Sequence, residues 1–411
     1  MLDFRARIAS PEFARLARHP STPNAFTRQR SLPLPALVAA LLSQRAASQQ
    51  AGLDAFFGTL SDTGALVRQV SDRAFAKARG RLHMPALQWL NDHLVRAAEP
   101  LGFVPRWHGL RLVAADASVL RPALRPCHRT ASSADADQRL FALYLPGAEL
   151  TLWANVHSAL ESERAMLVAA LEQLGPDDVL LLDRGYPAAW LVQLLIERGI
   201  RFVMRCDMGS GWPVVREFMR ANLPETQVRL NTPSAQDAAD WGCQRTAPCV
   251  RLVRNVAPSG AVRVLATNLD ATEVSAAAFA ELYHQRWRIE EAFKRLKHRL
   301  LLESVSGLSQ QALIIDVAAK VLADNLASLL CHAAEKTAAL DARQRKCKRS
   351  YAAVFLQRML PRALLQAGAL GELVRHALLQ LAANTQRFTP GRSRPRRPPQ
   401  VKPHPSQVYK G

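Results

Sequence analysis

Cysteine is scarce in this chain. Six are spread over 411 residues, at Cys127, Cys206, Cys243, Cys249, Cys331 and Cys347. None forms a Cys-x-x-Cys pair, and the closest two, Cys243 and Cys249, are six apart. Neither a disulfide framework nor a zinc site is expected from such spacing; buried free thiols are. Long apolar runs are also missing. "LPLPALVAALL" (32–42) is about half the length a membrane helix needs. The opening "MLDFRARIAS" lacks the basic-then-apolar layout of a signal peptide, so a cytoplasmic location is the default expectation. Acidic residues are few: 34 Asp and Glu stand against 54 Lys and Arg, a formal net charge of +20. The last 72 residues, 340–411, hold 15 basic and 2 acidic residues. A balance this basic points to a polyanionic partner, most simply nucleic acid. A membrane surface would need a strongly apolar helix face with exposed aromatics, which the Pro-rich tail does not offer, so no membrane partner is expected.

The hydrophobic fraction, 49%, is that of a globular protein, and the length suffices for two or three domains. Residues 1–105 read as a helical region, punctuated early by Pro11, Pro20, Pro23, Pro33 and Pro35. Within it, "SDRAFAKARGRL" (71–82) opens on a cap candidate and repeats Arg73, Lys77 and Arg81 every fourth position, which predicts one basic helix face. From about 108 the texture changes. "LRLVAADASVL" (110–120), "RLFALYL" (139–145), "ELTLWANVH" (149–157) and "DVLLLD" (178–183) read as strands, with helices at about 161–174 and 187–199. That order predicts an α/β sheet with a buried middle. Residues 201–270 read as a strand-rich insertion, followed by helices at 275–300 and 310–335. A helical region (336–385) and a basic Pro/Arg-rich tail (386–411), expected to be disordered or to fold onto a partner, complete the chain.

Three carboxylates draw the chemistry together. Asp116 closes "LVAAD", Asp183 closes "VLLLD", and Glu290 lies on the helix "YHQRWRIEEAFKRLK" (283–297). Apolar strands that deliver carboxylates at their C-terminal ends are a frequent active-site layout in open sheets. Two such Asp and one Glu could hold two hard cations and drive phosphodiester transfer. On that helix, Leu282, Ile289, Phe293 and Leu296 make a core stripe. Tyr283, Arg286, Glu290 and Lys297 make a second stripe, roughly 60° wide at about 100° per residue. Arg286 and Lys297 can hold phosphate oxygens and Tyr283 can donate to one; the plainer alternative is an Arg286–Glu290 i,i+4 ion pair. Lys294, Arg184, Lys77 and Arg81 are further candidate DNA contacts. Asp177 and Asp178 are expected at the surface. His157, Glu161 and Glu163 read as structural or solvated. Trp287 is expected to pack the helix.

The spacing Y-x2-R-x3-E-x6-K, at Tyr283, Arg286, Glu290 and Lys297, resembles the signature of the insertion-sequence-four family of bacterial DDE transposases. "AADASVLRP" and "LLLDRGY" resemble the segments carrying that family's two Asp, 67 residues apart, with Glu290 a further 107 along. Ala117-Ser118 stands where relatives often have Gly-Thr. The resemblance implies a ribonuclease-H-like core (106–335, the β insertion included) with Asp116, Asp183 and Glu290 binding Mg²⁺, for which Mn²⁺ can substitute. It also implies an N-terminal DNA-binding region and a homodimer that synapses two element ends in the bacterial cytoplasm, at the nucleoid. The expected reaction is cut-and-paste transposition of double-stranded DNA, from element ends into a target. In relatives that form hairpins, a Trp of the insertion stacks on a flipped base; Trp212 and Trp241 are the candidates here. The alternatives are an inactive or regulatory DNA-binding protein, and a related metal-dependent nuclease that cuts without joining.

Overall fold

A computed structural model describes the chain except residues 29, 44–47, 62–67, 123–137, 207–210, 257–259, 261, 342–344, 367, 369 and 388–411. Cys127 and nearly all of the basic tail therefore lie outside the described residues. The chain opens with helices α1 (Leu2–Ile8), α2 (Pro11–Leu16), α3 (Leu34–Ser43), α4 (Gln49–Gly58), α5 (Asp72–Arg79) and α6 (Met84–Ala98). The expected cap of α5 is present: Ser71 Oγ accepts from Ala74 N–H at 3.2 Å. The helix stops sooner than the basic repeat suggests. It ends at Arg79 with Gly80 as its C-cap, so Arg81 lies beyond the face that carries Arg73 and Lys77.

Strands β1 (Arg111–Leu120), β2 (Gln138–Leu145), β3 (Leu150–Ser158), β4 (Asp178–Leu182), β5 (Arg201–Cys206), β6 (Glu225–Arg229), β7 (Cys249–Val256) and β8 (Val262–Thr267) form one sheet in the order β3-β2-β1-β4-β5-β8-β7-β6. β1, β4 and β5 run parallel, and β2 and β3 pair antiparallel beside β1. The strands of 201–270 continue this sheet: β5 lies parallel to β4, and β8 pairs with β5. Helices α7 (Glu163–Ala170) and α8 (Ala189–Glu197) follow β3 and β4, and α9 (Pro213–Ala221) and α10 (Ala235–Trp241) interrupt the outer strands. Asp178, expected at the surface, is buried because Arg111 clamps both of its oxygens, at 2.5 and 2.8 Å.

Strand parity divides the sheet into two packed faces. Val113, Ala115, Leu180 and Leu182 point into a core shared with α7 and α8. Ala114, Val179 and Leu181 point the other way, onto α11 (Phe279–Gln285), α12 (Arg288–Lys294) and α13 (Gln310–Thr337). Beyond these come β9 (Arg345–Cys347), α14 (Arg349–Leu365), α15 (Leu370–Ala383) and β10 (Thr385–Arg387), with β9 and β10 paired. A third core joins the N-terminal helices to α14 and α15 around α13. The two terminal helical regions thus share one apolar interior. Of the described cysteines, all free, Cys206, Cys243, Cys331 and Cys347 are buried as expected and Cys249 is exposed. Among the described residues, no helix is long and apolar enough to cross a membrane.

Candidate active site

β1 and β4 are neighbours in parallel register, and the last paired positions are Ala114 and Leu181. Asp116 and Asp183 each lie two residues further on. Two residues along a strand returns a side chain to the same face. The two carboxylates therefore leave adjacent strands, about 5 Å apart by ordinary strand spacing, on the face that carries Ala114 and Leu181: Asp183 just past the end of β4, and Asp116 within β1, where its pairing with β4 stops while its pairing with β2 runs on to Leu120. That face is covered by the segment containing Glu290. The strand-end position expected for Asp183 is found, whereas β1 continues for four residues past Asp116 because it goes on pairing with β2; the register makes the two Asp neighbours.

The covering segment is not one regular helix. α11 ends at Gln285, Arg286 and Trp287 form a turn, and α12 begins at Arg288. The turn tightens the backbone to i→i+3 bonds: Arg286 N–H to Tyr283 O at 3.3 Å, and Ile289 N–H to Arg286 O at 3.2 Å. After Lys294 the chain widens to a π-helix over Arg295–Arg299. The polar stripe is redistributed accordingly. Tyr283 is 1% exposed and forms part of the floor, with the Arg286 guanidinium 6.0 Å from its ring centroid. Lys297 Nζ donates to the carbonyl of Val119 and so ties the π-turn to the end of β1. Trp287, expected to pack, is 39% exposed because it stands on the turn. Lys294 and Arg184 are exposed beside the site, and Lys77 is exposed on α5. Arg81 instead lines a cavity of the N-terminal region with Arg28 and Arg30.

Arg286 is the centre of the arrangement. It is 5% exposed, its Nη1 lies 3.6 Å from Asp116 Oδ2, and its Nη2 lies 3.1 Å from Glu290 Oε1. The i,i+4 ion pair is therefore present, but the guanidinium also reaches the first Asp. Asp116 Oδ1 accepts from Ala117 N–H at 2.9 Å, and Asp183 Oδ1 from Gly185 N–H at 2.7 Å. Burial pushes the Asp116 carboxyl up to about 7; Arg286 opposes this, and the charges of Asp183 and Glu163 add to it. Burial and Asp183 likewise raise Glu163, against the pull of Arg139. Glu163, read from sequence as structural or solvated, thus belongs to this electrostatic group. No sequence signal finds it, because it comes from the helix layer on the opposite face of the sheet. Trp212 and Trp241 sit elsewhere: Trp212 is buried, and Trp241 stacks on Trp190 with centroids 4.4 Å apart.

The donor set is hard oxygen, which suits a divalent cation such as Mg²⁺ or Mn²⁺. Among the described residues, no three His, Cys, Asp or Glu side chains already close on a common point. Arg286 lies between two of the carboxylates and offsets their charge. A carboxylate raised by burial, with like charges adding to it, is the group a cation relieves most, so the residues fit a divalent ion in kind.

No curated protein matches the chain. A solved structure, the piggyBac transposase synaptic complex with hairpin DNA, is similar at 13% identity and a TM-score of 0.44, covering 95% of this chain and 84% of that one. The family model for the transposase DDE domain matches residues 107–326, which run from just before β1 into α13 and include Asp116, Asp183 and Glu290. The chain belongs to the DDE transposase family.

Proposed function

We propose that this chain is a cut-and-paste transposase of the insertion-sequence-four type, with Asp116, Asp183 and Glu290 as its catalytic carboxylates. The observation that carries the reading is the shared register of Asp116 and Asp183 beyond Ala114 and Leu181, with Glu290 joined to Asp116 through Arg286. The order β3-β2-β1-β4-β5, with β2 and β3 antiparallel and the rest parallel, supports a ribonuclease-H-like core.

In this reading Asp116, Asp183 and Glu290 would hold divalent metal, which when bound would supply activation of the attacking oxygen and charge stabilisation at the leaving oxygen of the phosphodiester. Arg286 offsets the buried negative charge and presents a guanidinium fork to a phosphate. Lys297, Lys294 and Arg184 flank the same cleft and hold the strand as point charges or forks. Tyr283 supports Arg286 from beneath. Lys77, Arg81 and the basic tail add affinity for duplex DNA without reading its sequence. The protein acts as a homodimer that brings two element ends together before the freed 3′-hydroxyl attacks the target.

The test is cleavage of a labelled duplex carrying the element's own end, with Mg²⁺ and with EDTA, by wild type and Glu290→Ala. Mg²⁺-dependent nicking at the end, lost in Glu290→Ala while binding persists, is expected. Wild type that binds the end without cutting would move the non-catalytic DNA-binding reading ahead. Cutting without joining to target would favour a nuclease.

A further inference from the structure

We propose that Glu163 is a fourth carboxylate of the site, lending an oxygen to the same divalent cation as Asp183. The inference rests on the reading of Asp116 and Asp183 as cation ligands.

Glu163 is the first residue of α7, whose start is capped by Ser162 Oγ accepting from Ala165 N–H at 3.2 Å. The next residue locks this helix end to the loop after β4. Arg164 Nε donates to the carbonyl of Tyr186 at 3.1 Å, and its Nη2 to that of Pro187 at 3.0 Å. Glu163 is thereby held over the strand end that carries Asp183. Its Oε1 faces Arg139 Nη1 of β2 at 3.7 Å. Its Oε2 turns the other way, toward Gly185. A Cβ placed on Gly185 would stand 3.7 Å from that oxygen and 3.1 Å from Asp183 Oδ1. The two carboxylates therefore converge on one side of a residue that has no side chain.

A second feature marks the place as built for a ligand. Tyr186 is fully buried and its hydroxyl has no hydrogen-bond partner. Burial acts most strongly on that hydroxyl and holds its proton; the charges of Glu163, Asp116 and Asp183 add to this, and Arg286 opposes it. A buried phenol left unsatisfied, three residues past Asp183, calls for a further polar occupant. Carboxylate oxygens select a hard cation over an anion.

Binding of Mn²⁺ alone, with no DNA, tests this in the full chain, with free Mn²⁺ followed by electron paramagnetic resonance. Glu163→Gln is expected to raise the apparent Kd about tenfold or more. It should also shrink the rise in melting temperature that Mn²⁺ gives wild type. Glu161→Gln, which loses only a pairing with His157, is expected to bind as wild type. Far-UV circular dichroism and the metal-free melting temperature confirm that each variant is folded, and Glu163→Asp provides a second variant that shortens the reach and should also weaken binding. Unchanged Mn²⁺ affinity in Glu163→Gln, or an equal loss in Glu161→Gln, overturns the inference. Asp183→Asn separates the two levels. If it loses Mn²⁺ while Glu163→Gln does not, only the role of Glu163 falls; if neither changes, the reading of the whole site falls.

Discussion

Arg286 reaches across from the turn between two helices to a strand to meet Asp116, with 3.6 Å between Nη1 and Oδ2, while its other amine holds Glu290 at 3.1 Å. One guanidinium thus offsets two acids drawn from parts of the chain about 170 residues apart in sequence. The protein without metal stores a cost here. The Asp116 carboxyl is raised to about 7, so it binds its proton more tightly folded than unfolded. Stability of the metal-free protein therefore falls as pH rises from about 4, the unfolded value, to about 7. Asp116→Asn removes that loss. It should be more stable than wild type at pH 8 in EDTA, on the order of 2 kcal/mol once the lost Arg286 pair is discounted, and much closer to it at pH 4. Urea unfolding at the two pH values checks the sign.

Gly185 offers a test that leaves every charge in place. A methyl there would sit 3.1 Å from Asp183 Oδ1, inside the space where the carboxylates converge. The residue has no left-handed φ, so the backbone accepts alanine. Gly185→Ala should melt close to wild type, keep its DNA affinity, and cut at least ten times more slowly. Cleavage at the wild-type rate would mean that the space beside Asp183 is not used.

Glu149 ties the segment that carries Glu290 to the C-terminal elements through Arg288, Arg295, Lys346 and Arg349. Burial pushes its carboxyl up, but Arg349, Arg295, Lys346 and Arg288 together outweigh this and bring it down to about 2. Arg295 also bonds Asp324 at 3.3 Å and the Tyr144 hydroxyl at 3.0 Å. Glu149→Gln leaves these cations short of a counter-charge and should destabilise the protein by about 3 kcal/mol. Because the folded value is the lower one, the contribution of Glu149 is present above about 4.5 and is lost as pH falls toward 2. Wild type and Glu149→Gln should therefore converge in acid, which denaturant unfolding between pH 3 and pH 6 measures.

The exposed cations can be sorted by salt. Lys294→Ala and Lys77→Ala should each weaken duplex binding similarly for any sequence and lower the slope of log K against log salt by about 1. Lys294→Ala should in addition slow cutting, since its residue ends the helix that carries Glu290. Fluorescence anisotropy across a salt series separates the two; a slope unchanged in Lys77→Ala would take α5 off the DNA path.

Part of the layout of this candidate site is legible in the sequence, for a physical reason. A run such as "VLLLD" declares a buried strand and the point where it leaves the core, and a helix period sets Glu290 beside Arg286. What escaped depended on long-range assembly. The turn at Arg286 and Trp287 breaks a segment whose residues all favour helix, so propensity gave no warning and Trp287 was expected in the core. Glu163 meets Asp183 only because Arg164 ties α7 to the loop at Tyr186 and Pro187. Asp178 looked solvated because its partner, Arg111, is 67 positions away in the chain and one strand away in space.

The shared core around α13 bears on how this protein can be taken apart. The first half of that helix, with Leu313, Val317 and Val321, props the segment that carries Glu290; along its length, Ile315, Leu322, Leu326 and Leu330 face the terminal helices. The domain match stops at residue 326, inside the helix. A fragment cut to the match would bare an apolar flank that α3 and α6 on the N-terminal side and α14 and α15 on the C-terminal side normally clothe. The N-terminal helices are therefore not a cassette: exchanging them for those of another protein means rebuilding the helix that props the segment carrying Glu290.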